Sequence, residues 1–207
     1  GLAREHDKFP GRPHLARLAY ERSFWVQEPM RTELDVHAAL CYPALYPIDY
    51  PLIWAGSRPH PTYGIEHLRI LSPENTLIHM ALHAMYNLEG WSRHDVDATL
   101  LIQAEHINWD RLVDHAGAWG TTPALYFLLQ RTAANLGAAV PATTLATLRP
   151  GPVRRRVGAW VLRPAEGIMG PRHRRLRQLV SQAAMTKSFG AAIRFQLRYL
   201  AARLLDA

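Results

Sequence analysis

The stretch Leu71-Ser72-Pro73-Glu74-Asn75-Thr76-Leu77-Ile78-His79-Met80-Ala81-Leu82-His83-Ala84 is where the chain changes character. Ser72 offers a side-chain oxygen for an N-cap, and Pro73 suits the first helical position, where a missing N–H costs nothing. Glu74 sets a negative charge against the positive end of the helix dipole. Leu77, Met80, Ala81, Ala84 and Met85 then recur at the spacing of a core-facing stripe, which predicts a helix over 76–87. Further helices are expected over 95–104, 109–119 and 123–136, until residues 137–141 and Pro150-Gly151-Pro152 break the run. Residues 153–171 fit no single class, because the apolar segment 157–162 is followed by Pro164, Gly167, Gly170 and Pro171. Two more helices, both basic and amphipathic, are expected over 172–184 and 188–206.

Upstream of Ser72 the reading reverses. Pro10, Gly11, Pro13, Pro29, Pro43, Pro47, Pro51, Gly56, Pro59 and Pro61 break any helical period, and short segments of period two lie between them. Leu18, Tyr20, Phe24 and Val26 fall on one face of 18–26, interrupted by Arg22. After a turn around Glu28-Pro29-Met30-Arg31, Leu34, Val36, Ala38 and Leu40 alternate with Glu33, Asp35, His37 and Ala39 in 32–41. The pair predicts a hairpin with one buried face. Residues 52–55 and 67–71 are weaker strand candidates. The fold class is therefore α+β: a short, mainly antiparallel sheet portion over 1–71, a helical domain over 72–148, and a basic helical segment over 149–207.

Charge follows the same division. Residues 1–148 carry 11 basic and 15 acidic side chains, and residues 149–207 carry 13 and 2, so the net charge of +7 combines an acidic body with a basic tail. The single cysteine, Cys41, excludes an internal disulfide framework and a multi-cysteine metal site, which points to a reducing, cytoplasmic setting. No apolar run approaches the roughly 18 residues of a membrane span, so no transmembrane segment is expected. A first residue of Gly rather than Met suggests a start inside a longer product or after processing. Arginine outnumbers lysine 22 to 2 in an Ala-rich chain, which suggests a GC-rich bacterial source.

The chemistry begins with exclusions. Neither GxxxxGK[ST] nor GxGxxG occurs, which argues against a P-loop or Rossmann site, and HExxH is absent. In Glu33-Leu34-Asp35-Val36-His37, alternation puts Glu33, Asp35 and His37 on the face opposite the apolar stripe. A carboxylate on a rigid strand suits a divalent-cation site; the other reading is the solvated side of a hairpin. His79 and His83, spaced i and i+4, share a helix face and either meet a metal or anion or bond to neighbouring structure. Asp95 reads as a dipole partner of its helix, and Asp97 points either outward or toward the helix of His83.

Leu34-Asp35-Val36-His37, the run 71–84 quoted above, Arg93-His94-Asp95-Val96-Asp97-Ala98-Thr99-Leu100-Leu101, Asn108-Trp109-Asp110 and Val140-Pro141 occur in that order. Together, over residues 31 to about 141, they resemble the uncharacterised nucleotidyltransferase family of the polymerase-β-like superfamily. The resemblance implies a sheet whose three carboxylates bind two Mg²⁺ ions and the triphosphate of an NTP such as ATP. It also implies transfer of a nucleoside monophosphate to a hydroxyl-bearing acceptor, which could be a small molecule, an RNA end, a peptide or a protein side chain. Asp35, between Leu34 and Val36, matches the third carboxylate and becomes the candidate catalytic residue and Mg²⁺ ligand. Glu33, His37, His83 and Asp97 become candidates for the nucleotide or acceptor pocket, or for locking the helices against the sheet.

One departure matters. No Gly-Ser turn followed by an Asp-x-Asp strand precedes residue 31, and Asp95-Val96-Asp97 comes too late and inside a helical segment. The expectation is that the catalytic strands lie outside this sequence or that the homologue lacks the full metal site, so that the chain as it stands does not turn over. The alternative is a non-catalytic module on the same scaffold that recognises a peptide, protein or nucleic acid through its basic helices. Arg172-His173-Arg174-Arg175-Leu176-Arg177 and Ile193-Arg194-Phe195-Gln196-Leu197-Arg198-Tyr199 interleave arginine with apolar residues. Such segments could meet an anionic partner such as a nucleic acid, a membrane face or an acidic peptide, or form a solvated face.

Overall fold

The structure is a computed structural model and describes residues 4–6, 10–26, 32–62, 67–86, 91–162 and 179–206. Two compact units emerge, one of Gly1–Tyr46 with Gly190–Ala207, the other of Pro47–Phe189. The class is α+β, with two small antiparallel sheets and a helical bundle.

In the first unit β1 (Arg4–His6), β2 (Glu21–Val26) and β3 (Thr32–His37) form an antiparallel sheet in that order. The expected hairpin is β2–β3, with Glu21 opposite His37, Ser23 opposite Asp35 and Trp25 opposite Glu33. Its turn lies outside the described residues. A four-residue helix, α1 (Pro13–Ala16), precedes it. The last helix, Phe189–Leu205, buries Ala191, Ala192, Phe195 and Ala202. Phe195 meets Tyr42 at 4.7 Å between ring centroids, Tyr42 meets Tyr20 at 4.8 Å, and Tyr20 meets His37 at 5.6 Å. Beyond that helix the Asp206 carboxylate accepts from the backbone N–H groups of His14 (3.1 Å) and Leu15 (2.8 Å) and pairs with His14 Nδ1 at 2.7 Å. These are the unpaired donors at the start of α1, so a residue distant in sequence caps that helix.

This aromatic layer meets one side of the hairpin. The alternation of Leu34 and Val36 identifies a face correctly, but those side chains are 51% and 49% exposed, while Ser23 on the other face is fully buried. Period two marks two faces and cannot say which one meets a core. Here the rings reach His37, on the side of Ser23 and Asp35.

The second unit opens with α2 (Tyr50–Ala55), where sequence reading expects a strand over 52–55. Asp49 accepts a hydrogen bond from the Leu52 N–H at 2.9 Å and Pro51 sits in the first turn, so a capped helical start overrides the short apolar run. Two-residue strands β4 (Arg58–Pro59) and β5 (Arg69–Ile70) pair antiparallel, β5 falling inside the candidate strand 67–71. The bundle follows: α3 (Pro73–Tyr86), α4 (Trp91–Ala104), α5 (Trp109–Trp119), α6 (Thr122–Leu136), α7 (Ala142–Leu148) and α8 (Pro152–Val161). Residues 179–185 are also helical, whereas the arginine-rich run 172–177 lies outside the described residues.

Helix α6 is the centre of the bundle, with Ala124, Leu125, Leu128, Leu129 and Thr132 at or near zero exposure. Gly120 and Gly137 end α5 and α6 at φ of 71° and 67°, a left-handed conformation that glycine adopts without a Cβ penalty. Polar ties join the helices. The buried Glu74 of α3 accepts through Oε1 from the Asn108 N–H (2.9 Å) and from Arg111 Nη2 (2.8 Å). Asp95 of α4, also buried, accepts from Arg131 of α6 at 2.8 and 3.4 Å. The helix of Asp95 begins at Trp91, so this residue is an interhelical tie in the second turn rather than a dipole partner. Among the described residues no helix is long and apolar enough to cross a membrane.

Candidate functional site

Strand β3 carries Asp35 in register with Ser23 of β2, and the Ser23 hydroxyl donates to Asp35 Oδ1. Ser23 is fully buried and Asp35 is exposed, so a fixed interior donor orients a carboxylate whose residue reaches solvent. A neutral hydroxyl orients a carboxylate without cancelling its charge. Two residues along, His37 Nε2 lies 3.2 Å from Glu21 Oε2, a pair made by strands in register. Tyr20 completes this face. Burial, reinforced by the charge of Glu21, raises its hydroxyl pKa well above the ordinary value, which keeps it protonated. Burial likewise pushes the Cys41 thiol up to about 12, so that thiol is unreactive at neutral pH.

The sequence candidates divide between the two units. Asp35 and His37 lie on the hairpin face just described. The backbone of Glu33 pairs with Trp25, and its side chain lies outside the described residues. His83 and Asp97 belong to the helical unit. There His83 Nδ1 lies 3.3 Å from His94 Nε2, and the His79 ring is 5.8 Å from that of His83. Burial first, and then His83, lowers the pKa of His94, while Asp97 opposes the change. His94 therefore belongs to the first turns of α4 and to the histidine cluster, although its sequence neighbours suggest a loop. Ser23 also escapes sequence reading, since only the register of the hairpin puts it opposite Asp35.

Asp35 fits one carboxylate ligand, being exposed and oriented. Among the described residues, however, no group of three or more His, Cys, Asp or Glu side chains could hold a metal ion. The described part of this face thus shows no complete metal centre.

A family model described as "Uncharacterised nucleotidyltransferase" matches residues 4–137. The chain belongs to this family. The match takes in the β2–β3 hairpin and helices α3 to α6 and ends at Gly137, before α7. No curated protein and no solved structure matches the chain. Membership gives a nucleotidyltransferase-like protein, a class that works on nucleoside triphosphates with a divalent cation.

Proposed function

We propose that Asp35 is a metal-binding carboxylate of a nucleotidyl transfer site, which with Mg²⁺ moves a nucleoside monophosphate from an NTP to a hydroxyl-bearing acceptor. The observation that carries this reading is the orientation of Asp35 on β3 by the buried Ser23 hydroxyl, within the region matched by the family model. In such transfers the cation neutralises the triphosphate and the departing pyrophosphate. The chain's own residues contribute position: Ser23 fixes the carboxylate, and the Glu21–His37 pair gives the same face a polar edge. His83 and Asp97 are pocket candidates under the same proposal. Under this proposal Asp35 is one carboxylate of the set that holds the cation, and a bacterial, cytoplasmic setting belongs to the proposal too.

Isothermal titration of the full chain with each NTP, with and without Mg²⁺, tests this. Binding should require Mg²⁺, vanish in Asp35→Asn and weaken in Ser23→Ala. Nucleotide binding that ignores both Mg²⁺ and Asp35→Asn overturns the catalytic reading. It would favour the non-catalytic binding module, for which the exposed Arg194 and Arg198 beside exposed Ile193 and Leu197 on the last helix provide a surface.

A further inference from the structure

The Pro47–Phe189 unit holds a cavity of about 340 Å³ between the end of α5, the start of α6, the α7–α8 connection and Lys187. Three of its lining residues are cationic, Arg149, Arg154 and Lys187, and none is acidic. Among the described residues none of the three pairs with a carboxylate. Arg154 Nη2 and Lys187 Nζ instead donate to the backbone carbonyls of Lys187 and Gly117, each at 3.4 Å. Like charges converging on one space repel, and a bound anion would offset that repulsion.

The backbone adds to the field. Thr122 and Pro123, at the start of the 15-residue α6, line the cavity, and Arg154 lies in the first turn of the 10-residue α8. Neither helix has a side-chain cap on its first N–H groups, so both leave donors and a positive dipole end at this place. No aromatic side chain lines the cavity, which leaves a nucleobase nothing to stack on and argues against a nucleic-acid strand. Its volume lies at the lower end of small-ligand sites.

We propose that this cavity binds the phosphate group of a small, non-aromatic phosphorylated ligand. Six of its ten lining residues, from Thr147 to Lys187, lie beyond the residues matched by the family model, and none of the ten comes from the hairpin that carries Asp35. Arg149 and Lys187, both exposed, meet the outer phosphate oxygens, while Arg154, half-buried, meets the inner one. The site is separate from the Asp35 reading and stands or falls without it.

Thermal-shift and NMR titrations of the full chain with inorganic phosphate, against sodium chloride at matched ionic strength, provide the test. A saturable response to phosphate alone is expected. Arg149→Gln/Arg154→Gln should weaken it by about tenfold or more, the scale of losing charge-assisted hydrogen bonds. Lys187→Gln serves as a second, independent variant, and Arg203→Gln, at an exposed position of the last helix, should leave the response intact. Tighter binding of a sugar monophosphate than of inorganic phosphate assigns the ligand as a phosphomonoester, and equal binding assigns the free anion. A response no greater than that to chloride, or one unchanged in both cavity variants, overturns the proposal.

Discussion

Carboxylates in the two units have different fates. In the helical unit Glu74 and Asp95 are 1% and 3% exposed, and each is held by an arginine of another helix. In the sheet unit Asp35 stands on an exposed strand and receives a hydroxyl from beneath. The apolar residues divide the same way: Leu125, Leu128 and Leu129 of α6 are fully buried, whereas Leu34 and Val36 are half exposed. A buried, cation-paired carboxylate is committed to structure, because its charge is already met by the arginine of a neighbouring helix. Asp35 is instead exposed and oriented by a buried hydroxyl of the neighbouring strand, and that contrast, more than any motif, singles it out.

The comparison breaks first at its apolar ends. Leu128→Ala should cost about 2–5 kcal/mol of stability through lost burial and a residual cavity. Leu34→Ala should change stability by about 0.5 kcal/mol or less, as exposed sites do. Urea denaturation of both variants checks this, and equal losses would mean that the Leu34 face is covered. A middle-sized effect is expected where α8 meets α6. A Cβ on Gly158 would collide with the Phe127 ring, itself 5% exposed, so Gly158→Ala should cost about 1–3 kcal/mol by overpacking. A thermal midpoint unchanged by Gly158→Ala would show that the two helices separate easily.

How legible each unit is in the sequence follows from the same contrast. Helix α5 appears at its full extent, 109–119, because its start and stop signals are local: Asn108 accepts from the Arg111 N–H at 3.0 Å and Gly120 supplies the left-handed end. Helix α7 is missed because Ala142-Thr143-Thr144-Leu145 offers neither a strong cap nor a clear stripe. Asp35 is visible as a candidate from alternation and resemblance. Its partner Ser23 is not, since a serine in a strand carries no signal until register puts it opposite a carboxylate. The ring layer that reaches His37 depends on Tyr42 and Phe195, which are 153 positions apart in the sequence and leave no local trace. The same holds for Asp206, the acidic residue that caps α1 from the far end of the chain.

The smallest effect tests whether the helical unit's carboxylates are structural. Burial pushes the Glu74 pKa up, but the hydrogen bonds from Arg111 and from the Asn108 N–H outweigh it, and the folded value lies below the usual 4.5. A depressed carboxyl pKa contributes stability that is fully present above the unfolded value and is lost as pH falls through the folded one. Arg111 is half exposed, so its ion pair with Glu74 is worth about 0.2–1 kcal/mol at neutral pH after screening by solvent. Arg111→Gln should therefore show that deficit from pH 5 upward. The deficit should shrink below pH 4.5 as Glu74 takes up a proton in both proteins, the variant at the higher pH of the two. Denaturation curves across this range decide it. A deficit that stays constant down to full protonation would show that Arg111 acts by packing its stem against α3, and that Glu74 is held by the Asn108 backbone alone.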